Sequence, residues 1–287
     1  MTRELGPAGL VFGLCAAALT QIFGAIAWAV IVSALLPGVS FPVSVMSFFA
    51  TMPLKYLPGS VWNHVGKAAW LIQAPSMART PATKSRIGFG MVGVAQEFIM
   101  LLLSGAIATL LLGLWKVPRV LGGLVTQGVW DWAFVMFVAV AIFTPLLMHS
   151  FMRHLTARPV MSFVIRLWCA LILQVAGWVC GGALLGYIVI AMKGADQSGL
   201  GLSDSMFALY TGITAGLAAL FVPNGLGVRE WIISAAFGGS VPVAVAFAAG
   251  LVYRLFVMVS EFVALVLTSI ATRGFHRQSD ILTQTGD

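Results

Sequence analysis

Charge is what this sequence has least of. Only 9% of its 287 residues are Asp, Glu, Lys or Arg, against roughly 25% in soluble domains, and that shortfall excludes a soluble globular chain. Acid is scarcer than base, nine residues against sixteen. The resulting +7 lies mostly in loops between apolar runs, where basic residues orient a membrane protein and meet anionic headgroups. It therefore does not point to nucleic acid. Cysteine is limited to Cys15, Cys169 and Cys180, with no CxxC pair, so neither a redox couple nor a thiolate metal site is implied. All three are expected to act as small buried hydrophobes. The four histidines form no HExxH, and there is no Walker lysine loop and no GxSxG elbow. The sequence implies no enzyme, no cofactor and no metal, and no soluble segment is large enough for an ATPase or transferase.

What the chain has in abundance is long apolar runs. Hydrophobic residues make up 60% and mean hydropathy is +1.00. The longest runs suffice to cross a hydrocarbon core of about 30 Å. The expected fold is an all-α polytopic membrane protein, residues 1–287 forming a single integral membrane domain of about five to eight membrane segments. Long runs fall at about 8–36, 87–114, 121–149, 164–192, 205–222 and 242–271, with shorter ones at 41–57 and 229–239 and a polar tail at 272–287. Segment 61–74 is amphipathic: Trp62, Val65, Ala69 and Ile72 share one side and Asn63, His64 and Lys67 lie elsewhere. It is too polar to span against lipid, so 41–74 reads as a short or re-entrant hairpin. Loops 75–86 and 150–163 are basic and 193–204 is slightly acidic. The positive-inside rule places the first two on the cytoplasmic side of a bacterial or archaeal membrane.

Two helix-breaking motifs stand 165 residues apart, Lys55-Tyr56-Leu57-Pro58-Gly59-Ser60-Val61-Trp62-Asn63 and Pro223-Asn224-Gly225-Leu226-Gly227-Val228-Arg229-Glu230. Proline removes a backbone donor and glycine frees the dihedrals, so Pro58, Gly59 and Pro223 are expected hinges. A lone acid follows each break inside an apolar run, Glu97 after 39 residues and Glu261 after 38. Broken segments at matching places in two halves mark a transporter's binding site. The halves, about 8–149 and 164–271, accordingly read as two inverted pseudo-repeats, each with a broken or re-entrant hairpin.

In the second motif, Gly225 and Gly227 let backbone approach a ligand closely, and a half-helix starting near Val228 would turn its free N–H groups toward the break. Arg229 adds a forked donor suited to phosphate or carboxylate. A plain turn with Arg229 and Glu230 paired is the structural alternative. In the first motif, Lys55 lies in an apolar segment, with Asn63 and Lys67 after the break. Acids inside spans are costly and are functional candidates by default. Glu97 and Glu261 are therefore candidate coupling or gating residues together with Arg254, which shares a helix face with Glu261 and could merely neutralise it. Gly177, Gly181, Gly182 and Gly186 have small-xxx-small spacing and imply tight helix packing.

The first motif, followed by Gly66-Lys67-Ala68, resembles the KY[IL]PGxVW…GR signature of the lysylphosphatidylglycerol synthase transmembrane-region family, described as flippase-like integral membrane proteins. The second resembles that family's PxGLGxRE. The resemblance implies membrane-embedded hairpins and movement of aminoacylated phosphatidylglycerol or polyisoprenoid-phosphate sugars between leaflets. Lys67 stands where many relatives carry arginine, which keeps charge and loses the fork. No stretch corresponds to the aminoacyl-transferase domain of full-length synthases, so synthase activity is not implied.

The expectation is a flippase for an anionic, phosphate-bearing lipid. Arg229, Lys55 and Lys67 would contact the anion, with Asn63, Gly225, Gly227 and Glu230 at the same site. Membrane lipids are then the partners. Two alternatives are a non-transporting scaffold for an envelope-lipid or glycosyltransferase enzyme, and an intramembrane transferase using Glu97, Glu261 or His64.

Overall fold

The computed structural model describes residues 6–36, 39–57, 62–73, 160–193, 200–219, 221–237 and 240–284, with helical positions 95, 97, 99, 101, 103, 104 and 107. The expected span 121–149, the loop 75–86 and the hinge residues Pro58 and Gly59 lie outside the described residues. Every regular element among those described is helical: α1 (Pro7–Leu35), α2 (Phe41–Ala50), a 3-10 turn (Met52–Tyr56), α3 (Trp62–Gln73), α4 (Val160–Lys193), α5 (Leu202–Ala218), a second 3-10 turn (Pro223–Gly225), α6 (Val228–Ala236) and α7 (Val243–Gln284).

Proline sets several of these boundaries. Pro7 occupies the first turn of α1, where its missing N–H costs nothing. Leu36 precedes Pro37 and leaves the helical region, with φ −124° and ψ 81°, as crowding by the proline ring demands. Leu57, before Pro58, turns extended in the same way, at φ −74° and ψ 146°. α7 continues to Gln284, past the expected boundary at 271.

Among the described residues, three helices are long and apolar enough to cross a membrane, Pro7–Leu35, Met161–Met192 and Val243–Ile270. With these three spans the chain is an integral membrane protein. α4 is the most enclosed of the three and packs along α1. Two apolar cores lie along this pair. One joins Trp28, Ile31 and Leu35 of α1 to Phe48 of α2, Leu71 of α3 and Phe163 and Leu167 of α4. The other joins Ala17 of α1 to Leu184 and Ile188 of α4, Leu209 of α5, Ile233 of α6 and Tyr253 of α7. A Cβ on Gly182 would come within 2.2 Å of Met206 Cγ, so α4 and α5 approach to a distance that only glycine permits there.

Bilayer-embedded surfaces reverse the usual reading of exposure. Cys15 and Cys169 lie on outer faces of α1 and α4, which corrects the expectation of burial within protein. Lipid tails are as apolar as a core, so a thiol can face them. α3 shows the same reversal: Trp62, Val65 and Ala69 face outward, while Lys67, Ala68 and Leu71 are buried. Its polar side is the inner one.

Candidate functional site

The two breaks converge. Lys55 and Asn63 of the first motif, with His64 and Lys67 just after it, line one cavity of about 240 Å³ together with Asn224 and Arg229 from the second. Glu97, Thr20 and Gln21 of α1, Gln174 of α4 and Tyr253 of α7 add to its polar wall. The cavity lies between the two apolar cores, with α1 and α4 running past both.

Lys67 is buried to 1% exposure, which a lysine tolerates only with its charge met. Its Nζ pairs with Glu97 Oε1 and stands 4.1 Å from the Phe48 ring centroid and 5.2 Å from that of Trp28. Trp28 is itself held by Nε1–H donation to Ser47 Oγ at 2.9 Å. The other oxygen of Glu97 is 3.2 Å from His64 Nδ1. Asn63 meets Thr51 Oγ1 at 3.1 Å, tying α3 back to the end of α2. Ser104, on the helical stretch that carries Glu97, accepts from Trp178 Nε1 at 3.0 Å and donates to Gln174 Oε1 at 3.1 Å. That anchors the Glu97 helix on α4.

At the second break the charges are exchanged. Asn224 adopts φ 48°, Gly225 φ 64° and Gly227 φ 81°, the left-handed region that favours glycine. At Gly225 a Cβ would also lie 2.4 Å from Gly216 Cα, so backbone meets backbone there. Glu230 is fully buried. One carboxylate oxygen accepts the Gly227 N–H at 2.7 Å and the other accepts Arg254 NH1 at 3.0 Å. The expected open N-terminus of α6 is thus partly closed by its own acid, as in a capping box. Arg254 NH2 also donates to the Asn224 carbonyl at 3.1 Å, which fixes the break. Glu230, Arg254, Gly225 and Gly227 do not line the cavity, and Pro223 opens the turn on the exposed side.

Glu261 corrects a further expectation. It pairs not with Arg254 but with Lys55 Nζ, and it accepts Tyr56 Oη at 2.9 Å and Gln21 Nε2 at 2.7 Å. The alternative pairing of Arg229 with Glu230 fails likewise, because Glu230 is taken by Arg254. Residues seven apart share a helix face, but here each reaches a different break. α7 therefore clamps both: Arg254 holds the second and Glu261 the first.

Three cations and three acids close on one another: Lys55 with Glu261, Lys67 with Glu97, Arg254 with Glu230. Arg229 alone of the cavity's cations has no carboxylate partner among the described residues. Its guanidinium lies 5.2 Å from the Tyr253 ring centroid, a cation–π contact that orients it without neutralising it. Among the described residues, the site carries one positive charge without an acidic partner, on a forked donor.

Sequence reasoning missed Gln21, Gln174 and Tyr253. The two amides carried a usable signal, since each is an isolated polar group inside an apolar span. No group of three or more His, Cys, Asp or Glu side chains is arranged for a metal among the described residues. No protein-family model and no curated protein matches the chain.

Proposed function

We propose that this protein moves an anionic, phosphate-bearing lipid between membrane leaflets, binding the headgroup in the cavity between the two breaks. Arg229 carries the reading: a forked cation lines the cavity, oriented by Tyr253 and lacking an acidic partner among the described residues. A phosphate supplies the missing charge and matches the guanidinium geometry. Lys55 and Lys67 add positive potential but are engaged by their glutamates, so they contact the anion only by sharing or releasing those partners. Glu97 and Glu261 are then the coupling or gating acids.

The mirrored breaks support two inverted repeats, about 8–149 with α1, α2, α3 and the Glu97 helix, and about 164–271 with α4, α5, α6 and α7, the short helices being re-entrant. Transport would rock one repeat against the other around the fixed cavity. Membership of the lysylphosphatidylglycerol synthase transmembrane-region family rests on the two motifs and is part of this proposal, as is a polyisoprenoid-phosphate sugar or modified phospholipid as cargo.

The deciding experiment reconstitutes purified protein in liposomes and follows a phosphate-bearing lipid across the bilayer. Wild type should move it, and Arg229→Ala should not, while keeping the wild-type unfolding profile. Transport undiminished in Arg229→Ala would remove the site. A wild type inert in liposomes would favour the scaffold reading, in which a partner enzyme of envelope-lipid or glycosyl transfer does the work.

A further inference from the structure

Outside the polar cavity, α1, α2 and α7 enclose a groove of about 570 Å³, within the usual range of roughly 300–1,000 Å³ for ligand pockets. Its walls are apolar, formed by Ala18 and Ile22 of α1, Val45 and Phe49 of α2, and Val263 and Leu267 of α7. Three polar side chains reach it, and each is already engaged. Ser260 Oγ donates to the Val257 carbonyl at 2.7 Å and Thr268 Oγ1 to the Ala264 carbonyl at 2.8 Å. Gln21 Nε2 donates to Glu261. Each of the three therefore has a partner within the protein.

The groove and the cavity share a wall residue, Gln21, whose bond to Glu261 sets the Lys55–Glu261 pair beside it. An object filling both spaces would have an anionic end near Arg229 and Lys55 and a hydrocarbon end between α1, α2 and α7. We infer that the groove holds the hydrocarbon chain of the same amphiphile whose headgroup enters the cavity, an inference that rests on the headgroup reading above.

Physical chemistry limits how such a chain is selected. Moving hydrocarbon from bilayer to an apolar groove gains nothing from the hydrophobic effect, because the tails of the bilayer are equally apolar. Occupancy therefore depends on tethering: a headgroup fixed in the cavity raises the effective concentration of its own chain at the groove. A charged amphiphile should compete for the groove, and a neutral one of equal chain length should not.

The test uses two photoreactive hexadecyl phosphates in proteoliposomes, one with the diazirine beside the phosphate and one with it near the methyl end. Adducts are mapped by mass spectrometry. The head-labelled probe should mark cavity residues such as Asn63 and Thr20. The tail-labelled probe should mark Val45, Phe49, Val263 and Leu267, with labelling cut by about tenfold by excess unlabelled hexadecyl phosphate and unchanged by hexadecanol. Cavity adducts without groove adducts would overturn the chain site and leave the headgroup reading standing. Groove adducts indifferent to hexadecyl phosphate would mean bulk bilayer hydrocarbon only, with the same consequence. Failure of the head-labelled probe to mark the cavity would instead overturn the headgroup reading itself.

Discussion

The two breaks solve one problem with opposite charges. At the first, the short helix α3 brings the cation, Lys67, and the helical stretch around Glu97 brings the acid. At the second, the short helix α6 brings the acid, Glu230, and the following helix α7 brings the cation, Arg254. Their supports differ as well. Lys67 leans on two aromatic faces, whereas Glu230 relies on hydrogen bonds from Gly227 and Arg254. Aromatic faces serve a cation even when its acid is absent. A buried carboxylate has no comparable reserve. The first break is therefore the more forgiving, and the second the more dependent on its pair.

The largest expected effect follows from that difference. Arg254→Ala strands the Glu230 carboxylate in a fully buried site and should cost about 4 kcal/mol, within the 3–5 expected for one broken buried pair. Glu97→Ala should cost less, about 3 kcal/mol, because Lys67 keeps Phe48 and Trp28. Denaturant unfolding in detergent measures both, and equal losses would erase the distinction. Next come the glycines of the second break. Gly225→Ala combines a left-handed backbone with a clash against Gly216 and should lose about 2–3 kcal/mol. Gly227→Ala meets nothing within 4 Å and should lose about 1 kcal/mol from its backbone alone. A reversed order would mean that close approach does not set the second break. The smallest effect concerns the clamp on the first break. Tyr56→Phe removes one of three donors to Glu261 and should cost about 1 kcal/mol. A loss as large as that of Glu97→Ala would show that the hydroxyl, not Lys55, secures α7 to the first break.

Much of this was legible before any coordinates. Pro37 and Pro58 mark where α1 and the first 3-10 turn stop, and hydropathy marks the spans, so α1, α4 and α5 begin and end within a few residues of expectation. The converging motifs were legible too, because both combine helix breakers with cations. The pairing of the acids was not. Spacing along a helix suggested Arg254 for Glu261, yet the true partner Lys55 is 206 residues distant, and no local pattern encodes such a contact. Orientation was also hidden. The stripe of Trp62, Val65 and Ala69 identifies an amphipathic helix, but only its packing shows that the apolar side faces out. Gln21 escaped notice because a single amide barely alters the hydropathy of a 29-residue helix, though it touches both the cavity and the groove.

The Lys55–Glu261 contact has a consequence for how the protein is made. The other two pairs close over short stretches of chain, 30 residues for Lys67–Glu97 and 24 for Glu230–Arg254, a few seconds of synthesis at about 5–20 residues per second. Lys55 must wait for 206 residues, about 10–40 s at that rate. During that interval its ammonium lacks the acid that neutralises it in the finished protein, in a segment otherwise suited to the bilayer. It can bend toward the interface or stay beside water, but it cannot settle as it does in the folded molecule. The first break is thus translated early and completed late. Assembly of the site waits for α7, and a ribosome that stalls before Glu261 leaves a chain whose first half has inserted but not closed.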